Sequence, residues 1–296
     1  MTKLNISLEW FINPDHLPFI AGVQSGAFRK AGLDVNIIEP KEHYDGFESL
    51  KNGEIDIHTN EPLHLFEHYF DGIKSLGCFF ETRGGVMIRK SSIDKLKANQ
   101  KIKITTPASN DVTNKIGSEI LLRYAKQEGF ELSASNIEFI ETDFYHLKNM
   151  QDDESFDGAW LCFYNFEGIE AEYIGFENLF IDQFISPYPN FSALEMMTTQ
   201  TTLNEKGDAI KKFIEICENM VQELNSNKED AKSLYYKYTK EEKSELMDLI
   251  IEDTLPRLSS NIISDDKKWL ELNSFFEDLG LVTLSKEQYD SIWIKQ

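Results

Sequence analysis

The chain has 296 residues, enough for one large domain or two intimate ones with an ample core. Apolar residues make up 41% of it, yet no apolar run approaches the roughly 18 residues of a membrane span, so a transmembrane helix is excluded. Asp and Glu number 51 against 30 Lys and Arg, and the formal charge of -21 repels phosphate backbones and anionic lipid, so nucleic acid is not an expected partner.

Cys78, Cys162 and Cys217 are odd in number and widely spaced. They match neither a disulfide framework nor a zinc ribbon, and they suit a reducing compartment. The first residues lack the basic start and apolar stretch of a signal peptide, so the expected location is cytoplasmic. Leu4, Ile6, Leu8 and Trp10 alternate with polar residues instead, which is the period of a half-buried strand.

After a turn at Asn13-Pro14, the stretch from Pro18 to Ala31 predicts a helix stopped by Gly32, and Leu33 to Ile38 a second strand. A short helix near Phe47-Leu50, a strand at Ile55-Ile57 and a helix over Pro62-Phe70 follow, then apolar runs at Ile73-Phe80 and Val86-Ile88. This alternation predicts a mostly parallel sheet flanked by helices. A second α/β series runs through a strand at Lys101-Thr105, a helix from Val112 to Glu128, a strand at Ile137-Ile140, a short helix near Leu147 and a strand at Ala159-Phe163. From Asn204 onward the spacing is helical: Ile210, Phe213, Cys217, Met220 and Leu224 share one face, as do Trp269, Leu272, Phe276 and Leu279. Thr239 with Glu242, and Ser285 with Gln288, fit capping boxes. The expected lobes are residues 1–90 with 190–296, and residues 91–189, joined by crossings near Arg89-Ser92 and Ser186-Ser192. Residues 131–190 hold thirteen Asp/Glu against the single Lys148, either a solvated acidic surface or a field that favours cationic and neutral ligands.

The densest polar cluster runs from His58 through Asn60, Glu61 and His64 to Glu67 and His68, across a strand end and the first turns of a helix, where open α/β sheets bind ligands. His64-Leu65-Phe66-Glu67-His68 also spells the H-x-x-E-H pattern of inverted zinc peptidases. A zinc enzyme needs a further ligand that nothing marks, so no metal is expected, and plain hydrogen bonding is the default for His43 and His68. Trp10, Asn13 and His16 follow the first strand and offer a ring face and polar groups for a planar heterocycle, or simply a strand end and its turn. Arg83-Gly84 is a place for close backbone approach or a turn. Ser109-Asn110-Asp111 precedes a helix, as an N-cap or as anion-binding N-H groups. Trp160, Phe163 and Tyr164 end a strand of the second lobe, and Tyr188 lies in the second crossing; all four are expected to face the ligand.

The segment Leu8-Glu-Trp-Phe-Ile-Asn-Pro-Asp-His16, with Gly26-Ala-Phe28, Ala31-Gly-Leu-Asp-Val35 and Asn52-Gly-Glu-Ile-Asp56, resembles the NMT1/THI5-like branch of the type II periplasmic-binding-protein superfamily. The resemblance implies two α/β lobes joined by a hinge, with a small molecule held in the cleft between them. It also implies one of two activities: solute binding for an ABC transporter, or synthesis of the hydroxymethylpyrimidine phosphate of thiamin biosynthesis. In the synthase pattern a lysine after the third strand holds pyridoxal phosphate as an imine, and a histidine four residues later supplies atoms to the product. Here those places carry Asn60 and His64, and Ser192 to Leu203 lacks the synthase's cysteine-rich run. An amide cannot form the imine. The expectation is therefore an intracellular small-molecule-binding protein without a cofactor or catalytic residues, its ligand a thiamin-pyrimidine-type heterocycle. The synthase and the transporter component stand as alternatives.

Overall fold

The computed structural model describes residues 1–40, 46–282 and 284–295, so His43 lies outside the described residues. The chain divides into two units. The first comprises Met1–Glu81, Ala193–Asn273 and Val282–Gln296, and the second Thr82–Ser192 with Ser274–Leu281. The first boundary falls before residue 90 because the strand Gly84–Arg89 is hydrogen-bonded to strands of the second unit.

Among the described residues, ten strands form two five-stranded sheets. In chain order they are β1 (Thr2–Ser7), β2 (Leu33–Ile38), β3 (Ile57–Asn60), β4 (Ile73–Glu81), β5 (Gly84–Arg89), β6 (Ile102–Thr106), β7 (Ile137–Glu141), β8 (Gly158–Phe163), β9 (Asn178–Ile181) and β10 (Ala193–Thr199). The first unit has the order β2-β1-β3-β10-β4 and the second β7-β6-β8-β5-β9. Each sheet has a parallel half, β2-β1-β3 or β7-β6-β8, continued by an antiparallel half. Parallel pairing follows from the βαβ alternation. The antiparallel strand beside β3 or β8 is in each case the first strand after a crossing between units, β10 or β5.

The two sheets share a local device. Asp56, just before β3, accepts the Asn5 backbone N–H of β1 at 2.9 Å, and Asp157, just before β8, accepts the Lys103 N–H of β6 at 2.9 Å. Each carboxylate also meets a lysine, Lys206 at 2.7 Å for Asp56 and Lys95 at 2.7 Å for Asp157. A buried carboxylate satisfied by an N–H and an ammonium fixes the register of the central parallel pair.

The helix expected from Pro18 to Ala31 is two helices, Leu17–Gln24 and Ala27–Lys30. Gly26 between them sits at φ +72, a left-handed conformation that ends a helix. Leu17, Phe19 and Ile20 are buried, and Phe19 lies 5.5 Å from Phe213 of the long helix Gln200–Ser226. That helix buries Ile210, Phe213, Cys217, Met220 and Leu224 at the expected spacing. Ser285 and Gln288 form the expected capping box, whereas Thr239 ends the helix Lys228–Thr239 and Ser244 caps the next one. The Thr239 hydroxyl donates to the Tyr235 carbonyl at 3.1 Å, so its capping capacity is turned backward.

Glu195, on β10, is the most heavily buried carboxyl of the first sheet. It accepts from the Ser75 hydroxyl and from Trp269 Nε1 at 3.0 Å. Burial pushes its pKa up to about 7, against the pull of those two hydrogen bonds. The folded state thus holds this proton more tightly than the unfolded chain. The stability it contributes is fully present below the ordinary carboxylate value and is lost as pH rises through about 7. Glu195→Gln mimics the protonated form, so urea unfolding should show it more stable than wild type by roughly 3 kcal/mol at about pH 8, with the difference vanishing near pH 4.5. A difference that does not change with pH would mean that Glu195 stays ionised in the fold.

Candidate functional site

In the first unit, the C-terminal ends of β1 and β3 carry a connected set of polar side chains. Glu9 follows β1, and its side chain is only 8% exposed. Its carboxylate accepts from His16 Nε2 at 2.9 Å and from the Thr59 hydroxyl at 2.5 Å. Burial alone would raise its pKa, but the neighbouring His16 and the two hydrogen bonds outweigh burial and lower it, so Glu9 is ionised. His16 Nδ1 accepts the Asn13 backbone N–H at 3.3 Å, which leaves Nε2 to carry the proton given to Glu9. A buried carboxylate, an imidazole and a hydroxyl thus tie β1, the turn Pro14–His16 and β3 together.

A second chain of hydrogen bonds starts at His58. Its Nδ1 lies 3.2 Å from the Ser7 carbonyl, its Nε2 lies 3.2 Å from the Asn60 amide nitrogen, and the Asn60 amide oxygen accepts the Glu61 backbone N–H at 2.9 Å. A carbonyl only accepts, so His58 donates from Nδ1 and accepts at Nε2. The ring passes so close beneath Gly46 that a Cβ there would stand 2.2 Å from it, which is why the position carries no side chain. Glu61 precedes the helix Pro62–Glu67. Burial, with some help from the Glu9 charge, raises its pKa against the opposing pull of His64. His64 lies one turn on. Enclosure would lower its pKa, but the hydrogen bond to Glu67 and the charges of Glu61 and Glu67 raise it.

Asn13 and Trp10 have more local tasks. Asn13 is buried and caps the Pro14–His16 turn, its Oδ1 accepting from the Asp15 N–H at 2.9 Å and its Nδ2 donating to the Phe11 carbonyl. The half-buried Trp10 packs at 5.4 Å from Phe11. Of the polar residues singled out in this unit, the structure brings His16, Asn60, Glu61 and His64 into one cluster. It adds Glu9, which the sequence disguises as an outward residue of an alternating strand.

In the second unit, Arg83 reaches Asp182 at 3.0 Å and lies 3.5 Å over the Tyr164 ring. The Tyr188 hydroxyl donates to the Gly84 carbonyl at 2.5 Å. The half-buried Phe163 donates its backbone N–H to Glu167 at 2.7 Å. Burial pushes the Glu167 carboxyl up to about 8, so near neutral pH it is mostly protonated. Glu167 sits in the short π-helical turn Tyr164–Gly168 directly after β8, a turn that alternating strand spacing does not signal.

Trp160 is fully buried, and its Nε1 donates to the Thr113 carbonyl at 3.0 Å, so the expected ligand contact becomes a core role. Asn110 caps the helix Asp111–Glu128, accepting the N–H groups of Val112 and Thr113, and the Ser109 hydroxyl donates to the Phe139 carbonyl. Asp111 is exposed in the first turn of that helix, where a carboxylate complements the helix dipole. This helix start is satisfied from within.

The Thr59 hydroxyl donates to Glu9 across the β1–β3 pair. Thr59→Val should cost about 1 to 3 kcal/mol at about pH 7. Because the Glu9 pKa is depressed, that cost should shrink as pH falls below the ordinary carboxylate value and vanish beneath the lowered one, where the group is protonated in both states. Chemical denaturation at several pH values measures it, and a loss independent of pH would assign Thr59 to packing alone.

A family model described as "NMT1/THI5 like" matches residues 13–231. A Haemophilus influenzae protein named for a provisional role in thiamine biosynthesis is 22% identical over 288 residues, which cover 95% of this chain and 88% of that protein. A protein of Legionella pneumophila named 4-amino-5-hydroxymethyl-2-methylpyrimidine phosphate synthase is 20% identical over 298 residues, covering 95% and 88%. Among solved structures, the periplasmic aliphatic sulphonate binding protein of Escherichia coli superposes with a TM-score of 0.71 at 14% identity, covering 99% of this chain and 98% of that one. The architecture is the two-lobed periplasmic-binding-protein fold.

Proposed function

This chain belongs to the NMT1/THI5-like family, and from that premise we propose that it is an intracellular small-molecule-binding protein whose ligand is an uncharged or cationic aminopyrimidine-type heterocycle held at the Glu9–His16–Asn60–Glu61–His64 cluster. The observation that carries this reading is electrostatic. The cluster places two enclosed carboxyl groups, Glu9 and Glu61, at the strand ends, with imidazole and amide groups beside them. Exocyclic amino groups and protonated ring nitrogens find acceptors there, and a phosphate finds negative charge.

The cations that a phosphate ester would need are already engaged. Arg83 is paired with Asp182, Arg89 donates to the carbonyls of Met150 and Phe156, and Lys115 donates to the carbonyl of Leu279. Freeing Arg83 or Arg89 leaves a partner on a buried residue without its donor. An intracellular site suits the three cysteines, which are buried and unpaired.

A second reading, a synthase-like enzyme of thiamin biosynthesis, draws on His64 and on the name of the Legionella relative. Asn60 weighs against it. Its amide has no nucleophilic nitrogen for an imine, and both its ends are hydrogen-bonded to His58 and Glu61. Incubation with pyridoxal phosphate followed by borohydride and peptide mapping should give no stoichiometric adduct; one on a single lysine would revive the enzyme.

Calorimetry on chelator-treated protein with a matched pair, the free aminopyrimidine and its phosphate, tests the leading reading. The free base should bind more tightly. His64→Ala should weaken it by about 1 to 3 kcal/mol, with unchanged melting as the control for folding. Tighter binding of the phosphate would overturn the charge preference, and indifference to His64→Ala would place the ligand elsewhere.

A further inference from the structure

We propose that His64, Glu67 and His68 form a binding site for a divalent transition-metal ion such as Zn(II), on the outer face of the helix Pro62–Glu67. His64 and His68 are four residues apart and Glu67 lies between them, so the helix places all three side chains on one face. Their ligand atoms lie within 4.8 Å of one another. Glu67 Oε2 is 3.2 Å from His64 Nδ1 and 3.9 Å from His68 Nε2. A tetrahedral zinc with ligand bonds of about 2.0 to 2.1 Å needs ligand atoms about 3.3 Å apart, so small rotamer adjustments suffice. Two imidazoles and a carboxylate are a ligand set that takes zinc and its neighbours in the first transition series in preference to magnesium or calcium.

Three further features favour a cation here. His64 and Glu67 lie in the last turn of the helix and His68 is its C-cap, where the carbonyl ends carry partial negative charge. Glu61 adds a carboxyl next to His64. The His68 ring stacks on Phe47 with centroids 5.0 Å apart, which limits its rotamers before any metal arrives. The His64, Glu67 and His68 side chains are 39%, 31% and 46% exposed, so an ion reaches them without opening the fold, and water completes the coordination. None of the other described histidines belongs to such a group: among the described residues, this is the one set of three that meets the distances.

The test uses the full chain, stripped of metal and titrated with Co(II) alone and then with Zn(II) against a chromophoric chelator. One equivalent of Co(II) should give the intense visible absorption of a four-coordinate ion, and Zn(II) should displace it. His68→Ala and Glu67→Gln should each weaken Zn(II) binding by about tenfold or more. Both side chains are substantially exposed, so the variants should melt as wild type does. The metal-free His68→Ala protein should still bind the heterocycle, which separates failure of this site from failure of the proposed function. No one-equivalent binding to wild type, or Zn(II) affinity unchanged in both variants, would overturn the proposal.

Discussion

The first unit is organised around a negative charge held away from water. The Glu9 carboxylate emerges from β1 into a space closed by the turn Pro14–His16 and by β3, and it survives there because His16 and Thr59 donate to it. The arrangement fixes more than one residue. His16 is aimed by the turn that Asn13 caps, and Thr59 is aimed by the parallel pairing of β1 with β3, which Asp56 holds in register through the Asn5 N–H. Removing a buried charge's partners leaves it uncompensated, so each element has reason to stay where the others put it.

That constraint shapes what the site can recognise. Carboxyl groups at the strand ends favour ligands rich in N–H donors. Where a lysine would offer a reactive amine, the amide of Asn60 joins the ring of His58 to the start of the next helix. The position has become part of the frame. The helix that follows sets His64 beside Glu61 and on the same exposed face as Glu67 and His68, so one short segment serves two chemistries.

Much of this was legible in the sequence, and the gaps have physical causes. Leu33 to Ile38 is a strand with the bounds its β-branched run implies, and the three- and four-residue spacing from Ile210 to Leu224 marks the buried face of its helix. β3 begins two residues later than expected, so Asn60 is its last residue and not part of the loop beyond. β10 escaped because all seven of its residues are buried, polar ones included, so no alternation betrays it. Glu195 can lie there because Ser75 and Trp269, distant in sequence, supply its hydrogen bonds. Glu9 escaped for the related reason that an acidic residue in an alternating strand reads as outward until its partners, seven and fifty residues away, are known. Trp160 was placed at a ligand because aromatic strand ends often are, whereas its indole N–H is spent on a helix carbonyl.

The central claim is that the site holds a compact heterocycle through acceptors and not through cations. Native mass spectrometry of protein purified from its own host, without added ligand, measures this directly. The account predicts a retained small molecule that carries no phosphorus and is released without chemical cleavage on unfolding. A retained phosphate ester, or a mass that survives unfolding as a covalent adduct, would contradict it.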